Sequence, residues 1–181
     1  MAEFALEVWR SRAAERLRRA SRAHRAEARR RYKRDLKFSS GIGVIIEWAK
    51  KQGYSVKFKS VDGGGEVDDE NKVIWVCHSF TPEHQFYVLA HECGHILIGE
   101  RERGARFSMT STPTSVTEKK TLHYRIEVID EELEAWERGR KLAGRLGIRI
   151  DKKKFHKFRV KYLQSYLKWA LKIEGYEDDA A

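Results

Sequence analysis

Three side chains in one short stretch have the types and the spacing of a metal site. The segment from Thr81 to Gly99 reads TPEHQFYVLAHECGHILIG, and it contains His91, Glu92 and His95 in the arrangement H-E-x-x-H. On a helix, at about 100° per residue, the two histidines lie one turn and roughly 40° apart, so both imidazoles point the same way. Two such imidazoles supply half of a tetrahedral zinc site. Glu92 is rotated by about 100° from His91, where a carboxylate acts as a general base on water rather than as a ligand.

The rest of this segment predicts a buried helix. Thr81 can cap the helix, Pro82 suits its first position, and Gly99 suits the residue just past its end. Nearly all other positions are apolar, as in a helix surrounded by core, and Gly94 leaves room for a neighbouring backbone. Burying two histidines and a glutamate there without partners would cost several kcal/mol. We therefore predict Zn²⁺ as their partner.

A later helix is predicted to supply the third ligand. The stretch from Tyr124 to Leu146 has helical periodicity and ends at Gly147. On a helical wheel, Glu132 lies in the middle of its apolar side. A carboxylate in that position needs a partner, which is either the zinc ion or an arginine in the core. Glu134 is the second candidate ligand, because sequence locates the ends of a helix only to within a few residues.

The remaining segments predict further helices and a short pair of strands. We expect a long helix over residues 2–37 and a break at Ser39–Gly43. A short helix over Val44–Gln52 and a last helix from Asp151 to about Glu174 should pack around the centre. Alternating apolar residues predict strands at Tyr54–Lys59 and Lys72–Cys77, which could pair as a hairpin. The connections are a loop at Val61–Asn71 and a second loop at Arg101–Lys120, with a possible short strand at Ala105–Met109.

Composition limits the class of protein and suggests partners. The 181 residues suffice for one domain with an appendage, and the two cysteines, Cys77 and Cys93, do not make a disulfide framework. No apolar run resembles a signal peptide or is long enough to span a membrane, so we predict a cytoplasmic protein without a membrane partner. The formal net charge of +10 favours acidic partners, including nucleic acid.

Much of the positive charge lies in the amino-terminal helix. Arginines cover most of its surface and leave one narrow apolar stripe; they include Arg10, Arg12, Arg16, Arg18, Arg19, Arg22, Arg25, Arg29, Arg30, Arg31 and Arg34. Because guanidinium groups match phosphate geometry, this helix could bind nucleic acid or another acidic partner. The alternative is a solvated face on a helix that packs through its stripe.

Taken together, FYVLAHECGHILIG and the later Glu132-Leu133-Glu134-Ala135 resemble the ImmA/IrrE-type zinc metallopeptidases, over roughly Gly43 to Leu146. Members of that family show H-E-x-G-H on one helix and E-x-x-A on a later one. The resemblance implies that His91, His95 and Glu132 are the zinc ligands and that Glu92 is the catalytic base. At the next position this chain carries Trp136, where related members often carry Asn or Asp.

The prediction is an α+β fold with an appendage. Residues 1–38 form the arginine-rich helix. Residues 39–181 form a zincin-like metallopeptidase domain, in which a small antiparallel sheet packs with the buried HExxH helix and surrounding helices. By position alone, His123 and Tyr124 are candidates for oxyanion or substrate contacts.

The predicted function is zinc-dependent hydrolysis of peptide bonds in a protein substrate. The resemblance suggests a DNA-binding repressor as that substrate, because members of the family are associated with mobile elements and stress responses. The alternative is a zinc-stabilised module that binds nucleic acid or protein without hydrolysis, such as a mobile-element regulator or a toxin-like protein.

Overall fold

The computed structural model of the protein describes residues 2–60, 64–107 and 121–171. The fold is α+β, as predicted. In chain order its elements are α1 (Ala2–Lys51), β1 (Ser55–Lys59), β2 (Gly65–Asp68), β3 (Val73–Cys77), α2 (Pro82–Arg106), α3 (Leu122–Arg145) and α4 (Lys152–Leu171). Among the described residues, no helix combines the length and the apolar composition needed to cross a membrane.

The sheet is mixed, so the predicted antiparallel sheet is wrong. Its strand order is β1-β3-β2; β1 runs parallel to β3, and β2 runs antiparallel to β3. The hairpin partner of β3 is β2, which lies inside the segment predicted to be a loop. Its acidic and glycine residues concealed the strand, and the tight turn after it is held by the backbone N–H of Asn71, which donates to Asp68 Oδ1 over 2.9 Å.

Helix α1 is continuous from Ala2 to Lys51, so the predicted break at Ser39–Gly43 is wrong. The hydroxyls of Ser39 and Ser40 donate to backbone carbonyls one turn back, over 2.8 and 3.1 Å, and thus remain compatible with the helix. Gly41 faces α2, where a Cβ would already lie 3.2 Å from the ring of Phe86. Gly41 therefore allows close packing rather than a turn. The division of the chain at residue 38 stays a prediction.

Helix α2 is kinked where it was predicted to end. Gly99 has φ 67° and ψ 159°, and helical turns then resume as far as Arg106. The short strand predicted from Ala105 is therefore wrong in its described part, and residues 108–120 lie outside the described residues. Glu102 in this last part contacts both Arg106, at 3.2 Å, and Arg138 of α3. The pair between Glu102 and Arg138 holds the end of α2 against α3.

The core is built around α2, which packs against α1, α3 and the sheet. Two glycines allow α2 and α3 to approach with their backbones in contact. A Cβ on Gly94 would overlap the carbonyl oxygen of Ala135, and a Cβ on Gly139 would overlap that of Ala90. The close approach predicted for Gly94 is confirmed. It brings the part of α2 that carries the histidines directly against the part of α3 that carries Glu132.

This contact predicts opposite effects for two alanine substitutions in α3. Gly139→Ala should lower the free energy of unfolding by about 3 kcal/mol or more, because the backbones would have to separate. Gly144→Ala should leave it unchanged or raise it by up to about 1 kcal/mol, because nothing lies within 4 Å of its added Cβ. Urea denaturation of both variants measures the difference. Equal stability of the two would contradict the backbone contact.

Candidate metal centre

The two histidines of α2 converge on one carboxylate of α3. His91 Nε2 lies 3.1 Å from Glu132 Oε2, and His95 Nε2 lies 3.4 Å from Glu132 Oε1. All three side chains are largely buried. Glu134, the second candidate ligand, instead receives a hydrogen bond from Arg138 Nε over 2.7 Å. The structure therefore brings together His91, His95 and Glu132 and leaves Glu134 outside the cluster.

Each imidazole lies at a distance from Glu132 that a metal ion could bridge. With bonds of about 2.0–2.1 Å, two ligand atoms of a tetrahedral zinc site lie about 3.3 Å apart, and His91 and His95 lie 3.1 and 3.4 Å from the two different oxygens of this carboxylate. His91 Nδ1 is also buried without a hydrogen-bond partner among the described residues, and Glu132 Oε2 receives no well-directed hydrogen bond there, although His91 Nε2 lies 3.1 Å away. Since unsatisfied buried polar atoms are costly, a cation beside Glu132 Oε2 would remove one such cost. The residues present thus fit a metal ion.

The charge of the surrounding cavity also favours a cation. The two histidines and Glu132 line a cavity of about 390 Å³ together with further residues, among them Glu66, Asp69, Glu92, Glu131 and Tyr166. Five of these lining residues are acidic, in a chain whose formal net charge is +10. Carboxylates this close to one another repel, and a cation in the cavity would offset that repulsion.

In the absence of a metal ion, the pKa values of His91, His95 and Glu132 determine where the cluster carries a proton. Burial lowers the pKa of His95, but hydrogen bonds to Glu131 and Glu132 outweigh burial and raise it to about 10. Burial opposes ionisation of Glu132, but the two neighbouring imidazoles outweigh it and hold the pKa of that carboxyl below its usual range. Burial lowers the pKa of His91, which favours the neutral imidazole that a metal ion requires.

Glu92 lies beside the cluster of His91, His95 and Glu132 and makes neither of the two contacts to Glu132. Its ligand atom lies within 4.8 Å of those of His91 and His95, so these three residues could themselves hold a metal ion. Burial raises the pKa of Glu92 to about 8. The carboxylate reaches the start of β2, where a Cβ on Gly65 would lie only 2.5 Å from Glu92 Oε1. Glycine at this position gives the carboxylate its space.

Two neighbours orient the imidazoles. Trp136 stacks on His91 with the ring centroids 4.2 Å apart and the planes 18° apart. The indole ring therefore holds the His91 ring by its face, whereas Asn or Asp at this position could brace a ligand through hydrogen bonds. Glu131 Oε1 lies 3.6 Å from His95 Nδ1. A carboxylate on the far nitrogen of a ligating histidine fixes its tautomer and increases its basicity.

Glu131 and Tyr166 belong to the site but were not identified from the sequence. Tyr166 of α4 lines the cavity, and burial together with the Glu132 carboxylate raises the pKa of its hydroxyl. By helical periodicity, Tyr166 belongs to an apolar stripe along the last helix, and this pattern alone predicts that its ring packs in the core. The recurrence of tyrosine one turn apart, at Tyr162 and Tyr166, is a signal that the stripe carries hydroxyls.

The two positional candidates for oxyanion contacts lie elsewhere on α3. The side chain of His123 is 71% exposed and its Nε2 lies 3.1 Å from Glu127 Oε1. Tyr124 packs edge-on against Trp169, with the ring centroids 6.2 Å apart. Neither residue lines the cavity of the metal centre as the structure describes it. A catalytic role for these two residues stays a prediction.

Comparisons of this chain with protein-family models, with curated proteins and with solved structures find no match. The likeness to the ImmA/IrrE-type peptidases accordingly stays a resemblance of motifs.

The geometry predicts different metal binding for two alanine variants of α3. Glu132→Ala should weaken zinc binding by more than about 100-fold, because it removes the carboxylate on which both imidazoles converge. Glu134→Ala removes the same charge from the same helix and should leave zinc affinity unchanged. Competition titration with a chromophoric chelator measures both affinities. Equal affinities would show that Glu132 is not a ligand.

Proposed function

We propose that this protein is a zinc-dependent peptidase of the HExxH type, with a zincin-like arrangement of its domain, that hydrolyses peptide bonds of a protein substrate. The observation that carries the proposal is the convergence of His91, His95 and Glu132 beside the buried carboxylate of Glu92. The order of the motifs along the chain adds to it, since it resembles the order in the ImmA/IrrE-type peptidases. That resemblance makes a DNA-binding repressor the first substrate to test.

His91, His95 and Glu132 would hold the zinc ion, with Trp136 and Glu131 keeping the two imidazoles in place. When bound, zinc polarises a substrate carbonyl and lowers the pKa of water towards about 7. Glu92 accepts a proton from the attacking water as the water oxygen bonds to the carbonyl carbon. It then donates that proton to the nitrogen of the leaving amine as the carbon–nitrogen bond breaks.

Two further features would bind the substrate. The hydroxyl of Tyr166 stays protonated because burial and Glu132 raise its pKa, so it can donate to the developing oxyanion. Strand β2 is at the edge of the sheet and lines the same cavity through Gly65, Glu66 and Val67. An extended peptide could therefore bind along β2 through backbone hydrogen bonds and reach Glu92.

Glu92→Gln tests the proposed role of the base. The variant should bind zinc as the wild type does, because the two imidazoles and Glu132 remain. Its hydrolysis rate should fall by about 10²-fold to 10⁴-fold, because the amide cannot accept the proton. Mass spectrometry of a proteome-derived peptide library incubated with each zinc-loaded protein gives the rates. Loss of zinc from the variant would mean that Glu92 is a ligand, and undiminished cleavage would reject its role as base.

One observation favours the alternative, a nucleic-acid-binding module. Residues 22–33 of α1 are exposed on every side of the helix, and they include Arg22, Arg25, Arg29, Arg30 and Arg31. An exposed helix that is rich in arginine can enter the major groove of DNA and contact phosphates.

Gel retardation of a random-sequence DNA duplex tests this alternative in the Glu92→Gln background. The expected result is retention that weakens with salt and falls by at least about tenfold in Arg22→Gln/Arg25→Gln/Arg29→Gln. The matched control, Lys152→Gln/Lys153→Gln/Lys168→Gln on α4, removes the same charge and should retain binding. Equal loss in both triple variants would indicate only a non-specific effect of net charge.

A further inference from the structure

A second cavity adjoins the candidate metal centre. It has a volume of about 940 Å³, and Tyr166 lines both cavities. The two are also joined at the start of β2, where Gly64 lines the larger cavity and Gly65 lines the cavity that contains Glu92. The two cavities are therefore neighbours, and an extended peptide that crosses Tyr166 would contact both of them.

The floor of this larger cavity is aromatic. Phe158 lies at its middle, with ring centroids 4.7 Å from Tyr162, 4.6 Å from His84 and 5.4 Å from Tyr87. Burial lowers the pKa of His84, so this ring is neutral and adds to the uncharged floor. Gly64, at φ 97°, lies against Tyr162, and a side chain there would overlap that ring's hydroxyl. The floor is suited to a flat or large apolar side chain.

The rim of the cavity is basic. Arg34 of α1 and Lys154 of α4 are both near Glu83, at 3.4 and 3.8 Å, and Arg34 also lies 3.7 Å from Asp35, so these two cations are partly neutralised. Lys157 and Lys161 also line the cavity. Neither makes an ion pair with any carboxylate in the part of the chain that the structure describes. Within the described residues, the rim therefore has two lysines one helical turn apart that no carboxylate approaches within ion-pair distance.

We infer that this cavity binds a segment of the peptide substrate that combines a large apolar or aromatic side chain with acidic residues. The apolar side chain packs on Phe158 and its neighbours, and the acidic residues pair with Lys157 and Lys161. The inference rests on the proposed function, which makes the occupant a peptide. Because Tyr166 lines both cavities, a peptide bound in the larger one would continue beside Glu92. It adds a substrate class, acidic segments with an aromatic residue, to the proposed activity.

Binding of four labelled peptides to the zinc-loaded, full-length Glu92→Gln protein tests this inference. The fluorescein-labelled octapeptides carry either phenylalanine or alanine at the centre and either two aspartates or two lysines beside it. By fluorescence anisotropy, the phenylalanine–aspartate peptide should bind about tenfold more tightly than each of the other three. Its affinity should fall as sodium chloride is added, because salt screens the lysine–carboxylate attraction.

Two double variants locate the binding. Lys157→Glu/Lys161→Glu should weaken binding of the phenylalanine–aspartate peptide by at least about tenfold and favour the phenylalanine–lysine peptide. Lys153→Glu/Lys168→Glu makes the same charge change on the same helix outside the cavity, and it should alter the affinity by less than about twofold. Circular dichroism and zinc content confirm that both variants are folded. An unchanged preference in the first variant would overturn the inference, and so would a dissociation constant above about 1 mM for the phenylalanine–aspartate peptide.

Hydrolysis of the same peptides by the wild-type protein separates this inference from the proposed function. Selective binding without cleavage of any peptide, including those of a proteome-derived library, would support the binding site and reject the peptidase. Cleavage without any preference among the four peptides would support the peptidase and reject the assignment of the cavity.

Discussion

The contact between the backbones of α2 and α3 is the constraint on which the site depends. Gly94 and Gly139 remove the two side chains that would hold these helices apart. The approach is close enough for Glu132, which belongs to one helix, to meet the imidazoles of His91 and His95, which belong to the other. A larger residue at either glycine would push the two helices apart. The carboxylate of Glu132 would then lie farther from the imidazoles, although none of the three side chains had been substituted.

The cost of this arrangement is electrostatic, and the surroundings make it tolerable. Several carboxylates share one small cavity, and burial opposes the ionisation of Glu92 and Glu132. Hydrogen bonds to Glu131 and Glu132 outweigh burial and raise the pKa of His95, so a protonated imidazole offsets part of this negative charge. The aromatic wall provided by Trp136 keeps His91 in position without adding another charge.

The sequence predicted which side chains of α2 and α3 meet, but it did not predict the parts of β2 and α4 that complete the cavity. The histidine pair and Glu132 were identified because helical periodicity places each on a definite face. The mixed sheet was not predicted, because the short strand Gly65–Asp68 has no clear alternation and its pairing depends on a turn. The break expected at Ser39–Gly43 did not occur, because tertiary contact with Phe86 overrides the low helix propensity of glycine. Tyr166 was not predicted as a site residue, because its position beside the cavity depends on how α4 packs, which the sequence does not show.

The continuity of α1 has a geometrical consequence. Its 50 residues make a rod about 75 Å long, and one end is anchored in the core by Phe38, Ile42 and Ile45. Along the helix axis, the exposed residues 22–33 therefore lie about 8 to 24 Å from Phe38, the first of these core residues. Substitutions among them can change the charge of the helix without altering the packing around the candidate site.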